Sequence, residues 1–112
     1  MKLIKAYIRP KMFEETHKAL KKEGFRSMTV MEAEGMGSYC DPDDQHSSLQ
    51  FPTLHSKVVK VEMVAEAEHV DAIVTIIHEH AGTGHPGDGL IVVLPIERSI
   101  RVRDGEQRRY TV

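Results

Sequence analysis

Apolar and polar side chains in the first third of the chain follow the period of a strand and then that of a helix. Residues 2–8 alternate between two faces, and Pro10 ends this pattern because it has no amide hydrogen to donate to a sheet. Over residues 11–23 the apolar positions recur every three or four residues, and Gly24 follows as a typical helix stop. The apolar run at residues 28–31 then predicts a second strand.

The second half of the chain continues with strand, helix and strand patterns. Residues 57–65 alternate, residues 70–81 carry apolar side chains at helical spacing, and residues 90–94 form an apolar run typical of a buried strand. A short last strand is expected at residues 100–103. The order of elements is the split βαβ pattern, so the sequence predicts a ferredoxin-like α+β fold, βαββαβ, with an antiparallel sheet. We expect one domain over residues 1–112.

The segment between the second and third strands, residues 38–55, has no sustained period and is rich in turn-forming residues. A structureless stretch of this length is uncommon inside a small domain and is usually functional or disordered. Because a ferredoxin-like fold serves many unrelated functions, the function has to be sought in such segments and not in the fold.

Composition and charge exclude several classes of protein. The formal net charge is −2, whereas a general nucleic-acid-binding protein needs a basic face. No apolar run approaches the roughly 20 residues of a membrane helix, and the first residues lack the apolar region of a signal peptide. The single cysteine, Cys40, cannot form an intrachain disulfide, as is typical of a reducing compartment. We therefore expect a cytoplasmic protein that neither binds nucleic acid nor inserts into a membrane.

Two segments are candidates for phosphate binding. Residues 82–89 contain four glycines, whose amides can converge on a phosphate, although a plain helix-to-strand turn is the alternative. Arg101 and Arg103 would lie on one face of an extended segment and form a fork for polyphosphate or carboxylate, or else a solvated basic edge. Gly35 and Gly37 allow a further close approach of the backbone to a ligand, or a hinge.

The aperiodic segment also contains candidate metal ligands. Its cysteine, aspartates and histidines could fold around a soft or borderline metal ion, but their spacing matches no compact metal motif, and a solvated loop is the alternative. These residues are Cys40, Asp41, Asp43, Asp44, His46 and His55. No residue has the spacing of a known nucleophile motif. We therefore expect a regulatory protein and not an enzyme, with slow nucleotide hydrolysis as a further hypothesis.

Taken in order, the motifs resemble the PII signal-transduction family from end to end. The resemblance rests on Gly35-Met36-Gly37, on Thr83-Gly84-His85-Pro86-Gly87-Asp88-Gly89 and on Ile100-Arg101-Val102-Arg103-Asp104-Gly105-Glu106. It implies a homotrimer that binds an adenine nucleotide (ADP, AMP or ATP), with Mg²⁺ as an optional companion, in clefts between subunits. The nucleotide-binding positions that it implies are Thr29, Gly35, Gly37, Glu62, Val64, Gly87, Asp88, Gly89, Arg101 and Arg103.

The resemblance identifies residues 37–55, the long loop, as the T-loop of this family. Such a loop changes shape with the ligand and docks onto a membrane transporter or an enzyme. The loop residues expected to contact this partner are Ser38, Tyr39, Cys40 and Phe51.

Several positions depart from the nitrogen-sensing members of the family. Ser38-Tyr39 stands where they carry Arg-Gln, Leu90 stands where they carry a phosphate-binding lysine, and Phe51 stands where enteric members carry a uridylylated tyrosine. The sequence therefore predicts a divergent PII-like protein in which 2-oxoglutarate sensing is not expected and ADP or AMP binds at least as well as ATP. The alternative is a metal-responsive PII-like protein linked to heavy-metal efflux, which would use the cysteine and histidines of the loop.

Overall fold

The structure, a computed structural model, describes residues 1–107, so residues 108–112 of the predicted domain lie outside the described part. Its strands and helices follow one another in the predicted order. They are β1 (Lys2–Ile8), α1 (Phe13–Lys22), β2 (Thr29–Gly35), β3 (Ser56–Ala65), α2 (Val70–Ala81) and β4 (Gly89–Pro95). A single turn of 3-10 helix precedes each α-helix, at Pro10–Met12 and at Ala67–His69.

The four strands form one antiparallel sheet in the order β2-β3-β1-β4. In the central pair, Lys2 lies opposite Ala65 and Ile8 lies opposite Val59. Each helix connects two strands that are not neighbours in the sheet, which is the split βαβ arrangement. The predicted ferredoxin-like α+β fold is confirmed.

The predicted end of α1 has a specific chemical cause. The amide of Gly24 donates to the carbonyl of Lys21 at 3.0 Å, and the amide of Phe25 donates to the carbonyl of Leu20 at 2.9 Å. This pair of bonds is the Schellman motif, which requires a left-handed residue after the helix, and Gly24 supplies it with a φ of +91°. The chain is thereby turned from the helix towards β2.

The core lies between the helices and one face of the sheet. Because side chains alternate along a strand, one set from β1 and β3 points towards the helices. Complete burial of an aliphatic side chain contributes roughly 1.5–3 kcal/mol, so this layer supplies the main apolar stabilisation. Its buried members are Ile4, Ala6, Ile8, Leu20, Phe25, Val59, Val61, Met63, Ala65, Ile73, Ile77 and Ala81.

The opposite face of the sheet carries no helix within residues 1–107. Strand alternation places Met31, Leu90 and Leu94 on this uncovered face, where they are between 39% and 49% exposed. A group of exposed apolar side chains on one face is typical of a surface that another chain covers.

The predicted last strand is wrong. Residues 102–104 form a turn, and an isolated bridge between Ile100 and Gln107 closes the segment on itself. Arg101 and Arg103 therefore do not share one face of an extended strand. No helix of the described residues is long and apolar enough to cross a bilayer.

Candidate functional site

The glycine loop, residues 82–89, folds around the carboxylate of Asp88. The amides of Thr83 and Gly84 donate to its Oδ2 at 2.7 Å and 2.8 Å, and the hydroxyl of Thr83 donates to its Oδ1. Two amides of the loop thus converge on an anion, as its glycines suggest, but this anion is a side chain of the loop itself. The loop is held in shape before any ligand arrives.

Arg9, at the end of β1, joins the glycine loop to the long loop. Its Nε donates to Asp88 Oδ1 at 3.2 Å, its Nη2 donates to the carbonyl of Pro86 at 2.9 Å, and its Nη1 pairs with Asp41. Arg9 is only 8% exposed. Burial opposes its charge, but hydrogen bonds to Asp41 and Asp88 outweigh that effect and raise the pKa of the guanidinium.

The two carboxylates that Arg9 contacts are held in their ionised form. Burial works against the charge of Asp88, but hydrogen bonds from Thr83, Arg9 and the Gly84 amide keep its pKa far below the usual range. The pKa of Asp41 is also lowered, first by the hydrogen bond that it accepts from the Asp43 amide.

We expect this network to make the stability of the fold depend on pH in acid. A carboxyl whose pKa is lower in the folded chain adds stability that is complete above its unfolded pKa of about 3.9 and is lost as the pH falls through the folded pKa. Asp88→Asn should therefore lower the free energy of unfolding by about 1–3 kcal/mol at neutral pH.

Urea unfolding of both proteins between about pH 5 and about pH 2.5 measures the effect, since the decline should be shallower in Asp88→Asn. Glu97→Gln, which changes an exposed carboxylate after β4, is the control and should decline like the parent. Equal declines for Asp88→Asn and the parent would contradict this account of the loop.

The loop root, residues 37–41, packs directly onto the glycine loop. A Cβ added at Gly87, where φ is +93°, would lie 2.6 Å from the Cα of Asp41 and 2.6 Å from the carbonyl oxygen of Cys40. Only glycine permits this approach between two backbones. The hydroxyl of Ser56 also donates to the carbonyl of Asp41 at 2.7 Å, which holds the root against β3.

The predicted partner-contacting residues divide into exposed and packed side chains. Ser38 and Phe51 are exposed. Tyr39 packs edge-on against Tyr7, with ring centroids 6.0 Å apart. Cys40 is 2% exposed, and burial raises the pKa of its thiol, so in this conformation it supports the loop root and does not face outwards.

The predicted nucleotide residues fall into separate groups within one chain. Thr29 and Glu62 are cross-strand neighbours, and Val64 follows on the same uncovered face. The glycine loop leads into β4 at the other edge of the sheet. Three strand spacings of about 4.8 Å separate β2 from β4, or roughly 14 Å, so one chain does not bring the two groups together.

The remaining predicted residues lie near the loop root or in the last turn. Gly35 is buried, and a Cβ added there would collide with the sulfur of Cys40. Gly37 is the first residue of the loop root and has a φ of +102°. Arg101 donates to Asp104 through Nε at 3.2 Å and through Nη2. Within residues 1–107, no hydrogen bond or ion pair joins Arg101 or Arg103 to the glycine loop.

Of the predicted metal ligands, the structure brings His46 and His55 together but not Cys40. A Cβ at Gly35 would point towards Cys40, and the neighbouring Glu34 projects from the opposite face of β2, on the side of the two histidines. Sequence reasoning missed Glu34, because it belongs to a regular strand and no local spacing links it to the loop. It also missed Arg9 and the pairing of Asp41 with it, because 32 residues separate the two along the chain.

Comparison with known proteins gives consistent matches along the chain. The protein-family model described as nitrogen regulatory protein P-II matches residues 1–106. The nitrogen regulatory protein P-II of Microchaete diplosiphon is 35% identical over 112 residues, which is 100% of both chains. The protein of that name in Azospirillum brasilense is 35% identical over 107 residues, or 96% of each chain. The one in Rhizobium meliloti is 36% identical over 106 residues, or 95% of each chain.

Proposed function

The chain belongs to the P-II family of signal-transduction regulators, and on this premise we propose that it binds an adenine nucleotide between the subunits of a homotrimer and controls a partner protein through its long loop. One observation carries the proposal. Arg9 binds the carboxylate of Asp88 in the glycine loop and that of Asp41 in the loop root, so a ligand at the first loop acts directly on the second.

A site between subunits accounts for two features of the single chain. The groups at Thr29 and at the glycine loop lie towards opposite edges of the sheet in one chain, whereas opposite edges of adjacent sheets can meet. The apolar side chains on the uncovered face, Met31, Leu90 and Leu94 among them, would be buried when three copies assemble. We expect such a trimer in the cytoplasm.

The proposed response is a competition for one guanidinium. A phosphate that enters the glycine loop brings negative charge close to Arg9, which already balances the carboxylates of Asp41 and Asp88. If the phosphate takes over part of Arg9, the loop root loses an anchor. The ligand then shifts the population of loop conformations by as much as its affinity differs between them.

The nucleotide preference that we propose follows from the side chains at three positions of the chain. Ser38, Tyr39 and Leu90 offer no positive charge to a triphosphate. We therefore propose that ADP or AMP binds at least as well as ATP, and that 2-oxoglutarate is not a second effector. The partner contacted through exposed positions such as Ser38 and Phe51 is a membrane transporter or an enzyme, and the protein itself is a regulator without a catalytic site.

Titration calorimetry of the whole protein tests the proposal. ATP, ADP and AMP are each titrated with and without Mg²⁺ and 2-oxoglutarate, and sedimentation velocity measures the assembly. We expect micromolar binding, one nucleotide per subunit of a trimer, ADP or AMP at least as tight as ATP, and no effect of 2-oxoglutarate. Absence of binding heat with all three nucleotides would contradict the proposed function.

A further inference from the structure

The long loop narrows to a neck formed by His46 and His55. Each of these residues donates its amide to the carbonyl of the other at 2.8 Å, so they form an antiparallel bridge just before β3 begins. Their ring centroids are 4.4 Å apart. This bridge therefore closes the base of residues 47–54, the outer part of the long loop.

The neck lies against a carboxylate of β2. His55 is two residues before Lys57, so both side chains project from the same side of the chain, and Lys57 Nζ donates to Glu34 Oε1 at 2.8 Å. The other oxygen of Glu34, Oε2, lies 3.5 Å from Nε2 of His46 and 3.4 Å from Nε2 of His55. The three side chains thus converge, with one donor atom of each within 4.8 Å of the others.

The atoms that converge here can all serve as metal ligands. Glu34 Oε2 is buried and accepts no hydrogen bond from residues 1–107. Nδ1 of His55 lies 2.8 Å from the carbonyl of Thr53, and because a carbonyl only accepts, this nitrogen carries the proton. In the neutral ring, Nε2 then presents its lone pair towards Glu34. Metal-binding histidines commonly donate their other ring N–H to a carbonyl or a carboxylate, as Nδ1 of His55 does here, and this bond fixes which nitrogen is free for the metal.

The separations of Glu34 Oε2 from the two imidazole nitrogens match those of metal ligands. Two ligand atoms about 2.0–2.1 Å from a tetrahedral zinc ion are roughly 3.3–3.4 Å apart, close to the distances from Glu34 Oε2 to the two imidazoles. We propose that Glu34, His46 and His55 form a site for a divalent transition-metal ion of the zinc type, with the fourth position open to water. His46 is 41% exposed and gives access, whereas His55 is 1% exposed and anchors the site.

This site differs from the one that the sequence suggests, because a carboxylate replaces the thiol. Cys40 lies on the other side of the β2–β3 ladder and is not a ligand. Two imidazoles and a carboxylate favour Zn²⁺, Ni²⁺ or Co²⁺ over the soft Cu⁺ ion that a thiolate would select. The site lies within one chain and does not depend on the proposed nucleotide site. Its occupation would fasten both ends of residues 47–54 to β2.

Direct metal titration of the full chain tests the proposal, using Zn²⁺ by calorimetry and Co²⁺ by visible absorption. We expect one ion per chain with micromolar or tighter affinity, and the intense absorption of tetrahedral Co²⁺. Glu34→Gln and His46→Ala should each weaken binding by about 100-fold or more, because each removes one of three ligands. Far-ultraviolet circular dichroism shows whether each variant is folded. Because Glu34→Gln keeps the size of the side chain, it tests the site even if His46→Ala does not fold.

Two control variants make the result specific. His85→Ala removes an exposed histidine of the glycine loop, and Cys40→Ser removes the thiol; both should bind Zn²⁺ like the parent. Zn²⁺ should also slow proteolysis within residues 47–54 in the parent but not in Glu34→Gln. The proposal is overturned if no Zn²⁺ binds stoichiometrically, if Cys40→Ser abolishes binding, or if Glu34→Gln binds with unchanged affinity.

Discussion

Replacing Arg101 and Arg103 together by alanine is expected to weaken adenine-nucleotide binding by about 100-fold or more. A hydrogen bond to a charged group contributes about 1.5–3 kcal/mol, and each 1.4 kcal/mol corresponds to a factor of ten in affinity. Both arginines lie around the turn that follows β4, outside the core. Within residues 1–107, the side chain of Arg101 pairs with Asp104 and Glu106 of the same short segment. The change should therefore spare the fold, since exposed ion pairs contribute little to stability.

A matched pair of arginines separates a specific site from general attraction. Arg26→Ala with Arg98→Ala changes the net charge equally at two exposed positions outside residues 100–107. Calorimetry should show near-normal nucleotide affinity for this control, while sedimentation shows the same assembly for all three proteins. Unchanged affinity in the Arg101/Arg103 variant would disprove the assignment of these residues, and equal losses in both variants would point to long-range electrostatics.

Replacing Gly87 by alanine is expected to open the loop root and expose Cys40. The new Cβ would lie 2.6 Å from backbone atoms of both Cys40 and Asp41, so the two loops cannot remain in contact. Cys40 is the chain's single cysteine, and burial both shields its thiol and raises its pKa. Its rate of modification by a thiol reagent under native conditions therefore reports opening of the root. We expect this rate to rise at least about tenfold, which corresponds to about 1.4 kcal/mol in the opening equilibrium.

Gly84→Ala is the control for this experiment. Gly84 also has a positive φ, +81°, so alanine introduces similar backbone strain, but an added Cβ would meet no atom within 4 Å. The modification rate of Cys40 should change much less in this variant. Equal rates for Gly87→Ala and Gly84→Ala would show that strain in the glycine loop, and not its contact with the loop root, controls the thiol.

The long loop is attached to the sheet at two places with different chemistry. Its root is held through Gly87 and the ion pair of Asp41 with Arg9, next to the proposed nucleotide site. Its neck is held near Glu34, at the proposed metal site. Because Cys40 modification reports on the root and proteolysis of residues 47–54 reports on the neck, the two attachments can be tested independently.

The sequence determined the order and type of the strands and helices. Side chains that repeat every two residues or every three to four residues predicted β1, α1, β3 and α2, because each regular element turns a constant angle per residue. The stop at Gly24 was predictable because its left-handed backbone is a local requirement. The motifs of the glycine loop and the last turn were enough to indicate the family.

The wrong prediction at residues 100–103 shows where periodicity fails. Alternating side chains are compatible with a strand, but a strand also needs a neighbour that accepts and donates its backbone hydrogen bonds. Here the amide of Arg101 donates to the carbonyl of Glu106 at 2.9 Å, so the segment pairs with itself around a turn. No pattern within four residues could distinguish these outcomes.

Only the tertiary structure decided which polar side chains meet. Arg9 and Asp88 are separated by 79 residues along the chain and Arg9 and Asp41 by 32, yet one guanidinium binds both carboxylates. Glu34 meets His46 and His55 because the loop returns to the start of β3 and places the three side chains on one face. Periodicity carries information about neighbours along the chain, whereas these contacts depend on strand pairing and on the path of the loop, which the fold as a whole sets.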